Sequence, residues 1–285
     1  MSNSGSGNER LSKNERRLAS REKAREMVEA QKKKDRRRKF AIQGGLIVGT
    51  LAIVTVVALV IVNSNRPAGP GPLNMLSDGI TIGEGFQAVE TAAIPEGGTP
   101  VPTQPTADSD PVAIQLWVDY LCPVCGTFEA TNSELIADLV DNGDATVEIH
   151  PVSILDRLSQ GSAYSTRAAN AAACVANTEP DSFFDFSAAL FANQPAENTA
   201  GFTDEQLVEY AASAGASGEA IETCITDQSF RSFVEASTER AISNPDLLNA
   251  DGDFGTPTVM VNGERFGGGV GDAAAFSAFV DAARS

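Results

Sequence analysis

The chain has 285 residues and 42% hydrophobic content, enough for one large domain or two small ones with a real core. Residues 1–39 carry fourteen Lys and Arg against six Asp and Glu, net +8, whereas residues 40–285 carry seven Arg and thirty-two Asp and Glu, net −25, for −17 overall. No lysine follows Lys39, so the acidic part offers no basic stripe for phosphates, which argues against nucleic-acid binding there.

Residues 1–39 hold few apolar side chains beyond Leu11, Leu18, Met27 and Val28 and are expected to be disordered or a lone exposed helix. Their basic end either rests on anionic lipid or merely sets topology. Phe40 to Val62 is a 23-residue stretch without a charge. At about 1.5 Å per residue it is long enough to cross a bilayer core of about 30 Å, and it is predicted to be a transmembrane helix. Lys32, Lys33, Lys34, Arg36, Arg37, Arg38 and Lys39 abut its start, while Arg66 alone lies just beyond its end. The positive-inside rule then predicts a single-pass cell-membrane protein with a cytoplasmic N-terminus and an extracytoplasmic C-terminal domain. A cleaved signal fits less well, because the basic segment is long, the apolar run exceeds the usual length and no A-x-A site follows. Residues 63–111 are expected to be linker, rich in Pro, Gly and Asn at Asn63–Leu73 and in Pro, Gly, Thr and Asp at Pro95–Pro111. Strand-like alternation over Gly79–Thr91 suggests an edge strand between them.

The folded domain is predicted over 112–285. Val112–Val118 reads as a strand buried on both faces and runs up to Cys122. Leu135, Ile136, Leu139 and Val140 then recur at helical spacing, and Ala145–Val152 reads as a second strand closed by Pro151, which makes a βαβ unit. About 153–254 the pattern turns helical: Thr203 and Gln206 form a capping box, Ala171, Cys174 and Val175 share one face, and Ile221, Cys224 and Ile225 share another. A strand returns at Thr258–Val261, turns at Asn262-Gly263 and continues to Phe266, before a last helix bearing Phe276, Phe279 and Val280.

Cys122-Pro123-Val124-Cys125 lies directly between a buried strand and a helix, a context that favours redox chemistry over metal binding. Pro123 suits the first helical position, which places Cys122 at the cap, its sulfur facing the unpaired amides and positive end of the helix. A thiolate is the attacking species and the better leaving group, so this position makes Cys122 the attacking sulfur and Cys125 the buried resolving partner.

Asp119-Tyr-Leu-Cys-Pro-Val-Cys125, the helical insertion and Gly255-Thr-Pro-Thr258 before the closing hairpin resemble the DsbA-like branch of the thioredoxin superfamily over about residues 112–285. The resemblance implies a thioredoxin-like α/β fold with an inserted helical subdomain. It also implies a cis Pro257 facing the cysteines, with Thr256 offering backbone hydrogen bonds to a substrate segment, and Pro123 and Val124 supporting the site. The oxidase archetype of that family has histidine where this chain has Val124. The implied activity is an extracytoplasmic, membrane-tethered thiol:disulfide oxidoreductase without a cofactor, acting as an oxidase on the thiols of exported proteins. A membrane partner, by resemblance a quinone-linked oxidase, would reoxidise its dithiol. The alternatives are a membrane-tethered reductase and a non-catalytic binding module of the same fold.

Cys174 and Cys224 lie 50 positions apart on apolar helix faces, and an extracytoplasmic site favours a structural disulfide between them over two buried free thiols. One C-x-x-C, two dispersed cysteines and a single histidine do not make a zinc site, and no metal is expected. That histidine, His150, is expected to be structural or at the surface, and Trp117 to be core.

Overall fold

The computed structural model describes residues 69–107 and 109–284, together with some residues of a helix within 21–34. The chain divides into two units, Met1–Arg66 and Pro67–Ser285. The predicted membrane span Phe40–Val62 lies outside the described residues, among which no helix is long and apolar enough to cross a membrane.

In the second unit five strands form one sheet in the order β1–β3–β2–β4–β5: β1 is Ile80–Ile82, β2 Val112–Val118, β3 Ala145–Pro151, β4 Thr258–Val261 and β5 Glu264–Arg265. β2 and β3 are parallel and joined through helix α1, Pro123–Asp141, while the remaining pairs are antiparallel. In this register Ile114 lies beside Val147 and Leu116 beside Ile149, a continuous apolar face. α1 turns Phe128, Ile136, Leu139 and Val140 inward. The central position of β2 explains why nearly all of it reads apolar: both its faces are covered. The closing helix α7, Ala273–Ala283, sets Phe276 edge-on against Phe128 with ring centres 5.2 Å apart.

Between β3 and β4 come α2 (Tyr164–Thr178), α3 (Phe183–Ala192), α4 (Asp204–Ser213), α5 (Glu219–Thr226) and α6 (Arg231–Ser243). α2 is buried almost all round, and its alanines at 168, 169 and 171–173 let α3, α4, α5 and α6 all pack closely on it. The capping box at the start of α4 is formed as its sequence predicts: Gln206 N–H donates to Thr203 Oγ1, and Thr203 N–H donates to Gln206 Oε1. Cys174 on α2 and Cys224 on α5 are joined in a disulfide with their Cα atoms 5.8 Å apart. Closing this loop constrains the unfolded chain by about 4 kcal/mol. Replacing both cysteines with alanine should therefore lower unfolding free energy by about 3 to 4 kcal/mol in denaturant titration. An unchanged midpoint would show that α2 and α5 hold each other without the bridge.

The stretch expected to be linker departs from its composition. From Gly69 it packs onto the domain: β1 pairs with β3, Met75, Ile80, Ile82 and Ile94 are buried, and Asn74 Nδ2 donates to the Ala176 carbonyl at 2.8 Å. Pro, Gly and Asn here make turns between single, spaced apolar anchors, a pattern that lacks the periodicity of a helix or long strand. Trp117 is half-buried on the sheet face opposite α1, stacked at 4.3 Å on His150, whose ring is buried and lies 3.5 Å from Glu148.

Candidate functional site

β2 ends at Val118, and four residues later the chain enters α1 with Cys122 as its N-cap and Pro123 at the first helical turn. Proline belongs there because its φ is preset and its missing N–H would have had no helical partner. Cys122 is 5% exposed and Cys125, one turn on, is fully buried; both are free thiols. Val124 is 46% exposed beside them.

The opposite wall is the turn into β4. The Thr256–Pro257 peptide is cis, and Cys122 Sγ–H donates to the Thr256 carbonyl at 3.3 Å. The structure thus brings together Cys122, Cys125, Pro123, Val124, Thr256 and Pro257, the grouping that the family resemblance implies, and leaves Cys174, Cys224 and His150 elsewhere.

The two thiols differ sharply in acidity. Cys122 is lowered from 9.0 to about 6, chiefly by its hydrogen bond with Cys125; burial opposes this, and Thr256 and the backbone amides of Cys125 and Val124 assist. Ionisation gives up the bond to the Thr256 carbonyl, and the amides at the helix start take its place. Cys125 moves the other way, raised by burial and by the neighbouring Cys122. At neutral pH the arrangement therefore holds one nucleophilic thiolate against one protonated thiol.

Three residues that sequence reasoning left without a role surround this pair. Asp119 is completely buried, and its carboxylate accepts four hydrogen bonds: Oδ1 from Leu121 N–H and Ser165 Oγ–H, both at 2.8 Å, and Oδ2 from Ile154 N–H at 2.9 Å and Leu155 N–H at 3.0 Å. Its main-chain carbonyl accepts from Cys122 N–H at 2.9 Å. Burial raises its pKa to about 6, with the four donors pulling against it. One helical turn beyond Cys125, Glu129 is raised to about 7 by burial and borders a small cavity with Leu116, Ile136 and Ser187. Gln194, after α3, donates from Nε2 to the Cys122 carbonyl at 2.9 Å and to the Tyr120 carbonyl at 3.1 Å. Only Asp119 left a trace in the sequence, as the single charge in an otherwise uncharged stretch leading to the cysteines.

A cavity of about 640 Å³ opens on the other sheet face among Trp117, Met260 and Arg240, and none of the cysteines lines it. Among the described residues no group of three or more His, Cys, Asp or Glu is placed to hold a metal ion.

Comparison with known proteins agrees with this geometry. The reduced DsbA of Mycobacterium tuberculosis is 28% identical, with 72% of this chain and 99% of that one covered and a TM-score of 0.52. The reduced disulfide bond oxidoreductase DsbG of the same organism is 29% identical, with 73% and 95% covered and a TM-score of 0.50. MdbA, a thiol-disulfide oxidoreductase from Corynebacterium diphtheriae, is 21% identical with a TM-score of 0.52 over 78% of this chain and 97% of that one, a likeness of fold alone. The serine/threonine-protein kinase PknE of Mycobacterium tuberculosis is 36% identical over 119 residues, 40% of this chain. That match spans 21% of the length of the kinase, about a fifth. A family model described as thioredoxin matches residues 107–282, from before β2 to the end of α7 and across both cysteines of the site, and the chain belongs to that family.

Proposed function

We propose that this protein is a thiol:disulfide oxidoreductase of the DsbA type that works as an oxidase on exported proteins, with Cys122 as attacking sulfur and Cys125 as resolving partner. The observation that carries the reading is Cys122 at the N-cap of α1, lowered to about 6, against a buried Cys125 and the cis Thr256–Pro257 peptide. In the oxidised state a substrate thiolate attacks Cys122 Sγ, breaks the Cys122–Cys125 bond and expels Cys125 as thiolate, which takes up a proton. A second substrate thiolate then attacks the substrate sulfur of the mixed disulfide and expels Cys122. The substrate leaves with a disulfide, and two electrons stay behind as the dithiol. Stabilising Cys122 as thiolate favours the reduced enzyme and so makes the disulfide oxidising. A membrane partner that accepts the two electrons restores it.

The direct test is Cys125→Ala in cells, which removes the resolving thiol. Cys122, left as a lone thiolate, should attack disulfides that already exist in oxidised exported proteins or in the membrane partner, expelling one of their sulfurs as thiolate. These mixed disulfides, which Cys125 can no longer resolve, should accumulate and dissolve on reduction; a variant that traps nothing sinks the reading. Direction is read from the reduction potential: a value near about −120 mV supports the oxidase and one near about −270 mV a reductase.

The cell membrane is the proposed site, with residues 40–62 in the bilayer, the N-terminus in the cytoplasm and the catalytic domain outside, which keeps enzyme and membrane partner at high effective concentration. Protease added to intact spheroplasts should digest the domain and spare the basic segment; the reverse pattern would refute the orientation. Val124 tests how the poise is set. Val124→His adds a donor or a positive charge beside Cys122, so it should lower the Cys122 pKa and make the domain more oxidising by about 30 mV per pKa unit in glutathione equilibration. An unchanged or more reducing potential would assign the poise to the Thr256–Pro257 side.

A further inference from the structure

Gln194 reaches the cysteine loop from the helical insertion, a part of the fold separate in sequence from both walls of the site. Its Nε2 spans two carbonyls, those of Tyr120 and Cys122, just before α1 begins. The Cys122 carbonyl also accepts the helical bond from Gly126 N–H at 3.1 Å, so it has two donors, one from α1 and one from the insertion. The other end of the amide, Oε1, lies over Gly126 in the space a Cβ would occupy. The backbone at Gly126 is ordinary helix, so what glycine supplies there is room for Gln194.

From this geometry we infer that Gln194 is a positioning residue for Cys122: it clamps the N-cap carbonyl, holds the sulfur over the amides of Val124 and Cys125, and so sustains the acidity of the thiol. This rests on the thiol-exchange reading above. The physical cause is local. The Cys122 carbonyl belongs to the same residue as the sulfur, and a donor on it offsets the negative end of a dipole close to the thiolate. The same bond also fixes the extended N-cap conformation, φ −75° and ψ 113°, which aims the side chain at the helix start.

Three variants test it in the full-length chain, with Cys122 pKa read from thiolate absorbance against pH and stability from thermal unfolding. Gln194→Ala removes the donor and should weaken the Cys122 acid by about two- to threefold, a share of one net hydrogen bond. Gln194→Glu replaces the donor with a carboxylate near the thiolate and should weaken it by about tenfold, one pKa unit. Gly126→Ala leaves Gln194 intact but displaces the end of its flexible side chain, so the acid should weaken as in Gln194→Ala. Alanine is the better helix former, so stability should hold or rise. A purely structural clamp would lower stability and leave the pKa in place. Unmoved pKa values in Gln194→Ala and Gln194→Glu, alongside an acidic wild-type Cys122, overturn the assignment of Gln194 alone. A wild-type Cys122 that titrates as an ordinary thiol overturns the thiol-exchange reading beneath it.

Discussion

Cys122→Ser is expected to bring disulfide exchange down to background while the domain stays folded. The hydroxyl replaces the sulfur at nearly the same size and can still donate to the Thr256 carbonyl, so packing at this 5%-exposed position changes little. What is lost is the sulfur itself: a serine hydroxyl neither forms the mixed disulfide nor leaves as a stabilised anion. The measurement is oxidation of a model dithiol peptide under glutathione buffer, with circular dichroism as the check on folding. Exchange persisting through Cys125 would be a surprise, because that thiol is fully buried and its pKa is raised, so its thiolate is both scarce and inaccessible.

Asp119 carries the second large effect, this time on stability. Asp119→Ala strips the partner from three backbone amides and the Ser165 hydroxyl in a site closed to solvent. Unsatisfied buried donors cost about 1 to 3 kcal/mol each, so a loss of at least about 4 kcal/mol is expected in denaturant titration. Asp119→Asn should not rescue it, since one end of an amide is a donor and would face two of these donors. The pH dependence has a definite sign. Asp119 moves from 3.8 to about 6 on folding, so the folded state holds a proton that the unfolded state has released between those values. Its contribution is fully present below about pH 4 and is lost as pH rises through about 6, a span of about 3 kcal/mol that Asp119→Asn should remove from the stability profile. A profile identical in the two proteins would mean that the four donors just balance burial and leave Asp119 unshifted, and a wild type that instead loses stability as pH falls would mean that they outweigh it.

What could be read from the sequence followed from local pattern. β2 and β3 announce themselves as apolar runs because both faces are covered, α1 by the spacing of Leu135, Ile136, Leu139 and Val140, and α4 by its capping pair. The cysteine pair was legible for the same reason, since strand, cap and helix are contiguous in the chain. Cys174 and Cys224 could be matched because each sits on one apolar face and only two cysteines remained outside the motif. The supporting contacts were not legible. Asp119 binds backbone amides of Ile154 and Leu155, which have no side-chain signature, and Gln194 grips carbonyls more than seventy positions away. Met75 and Ile94 anchor a stretch whose turn residues, taken alone, read as tether, whereas the edge strand that holds Ile80 was legible in the alternation over Gly79–Thr91.

The acidity of Cys122 is the quantity on which the account turns, and titration of ultraviolet thiolate absorbance in the reduced protein measures it directly. The expected result is one thiolate forming at about pH 6, absent in Cys122→Ser, with Cys125 titrating above the ordinary thiol value of 9.0. A Cys122 that ionises at or above that ordinary value would show that the start of α1 does not activate it, and would contradict the assignment of this site as a disulfide-exchange centre.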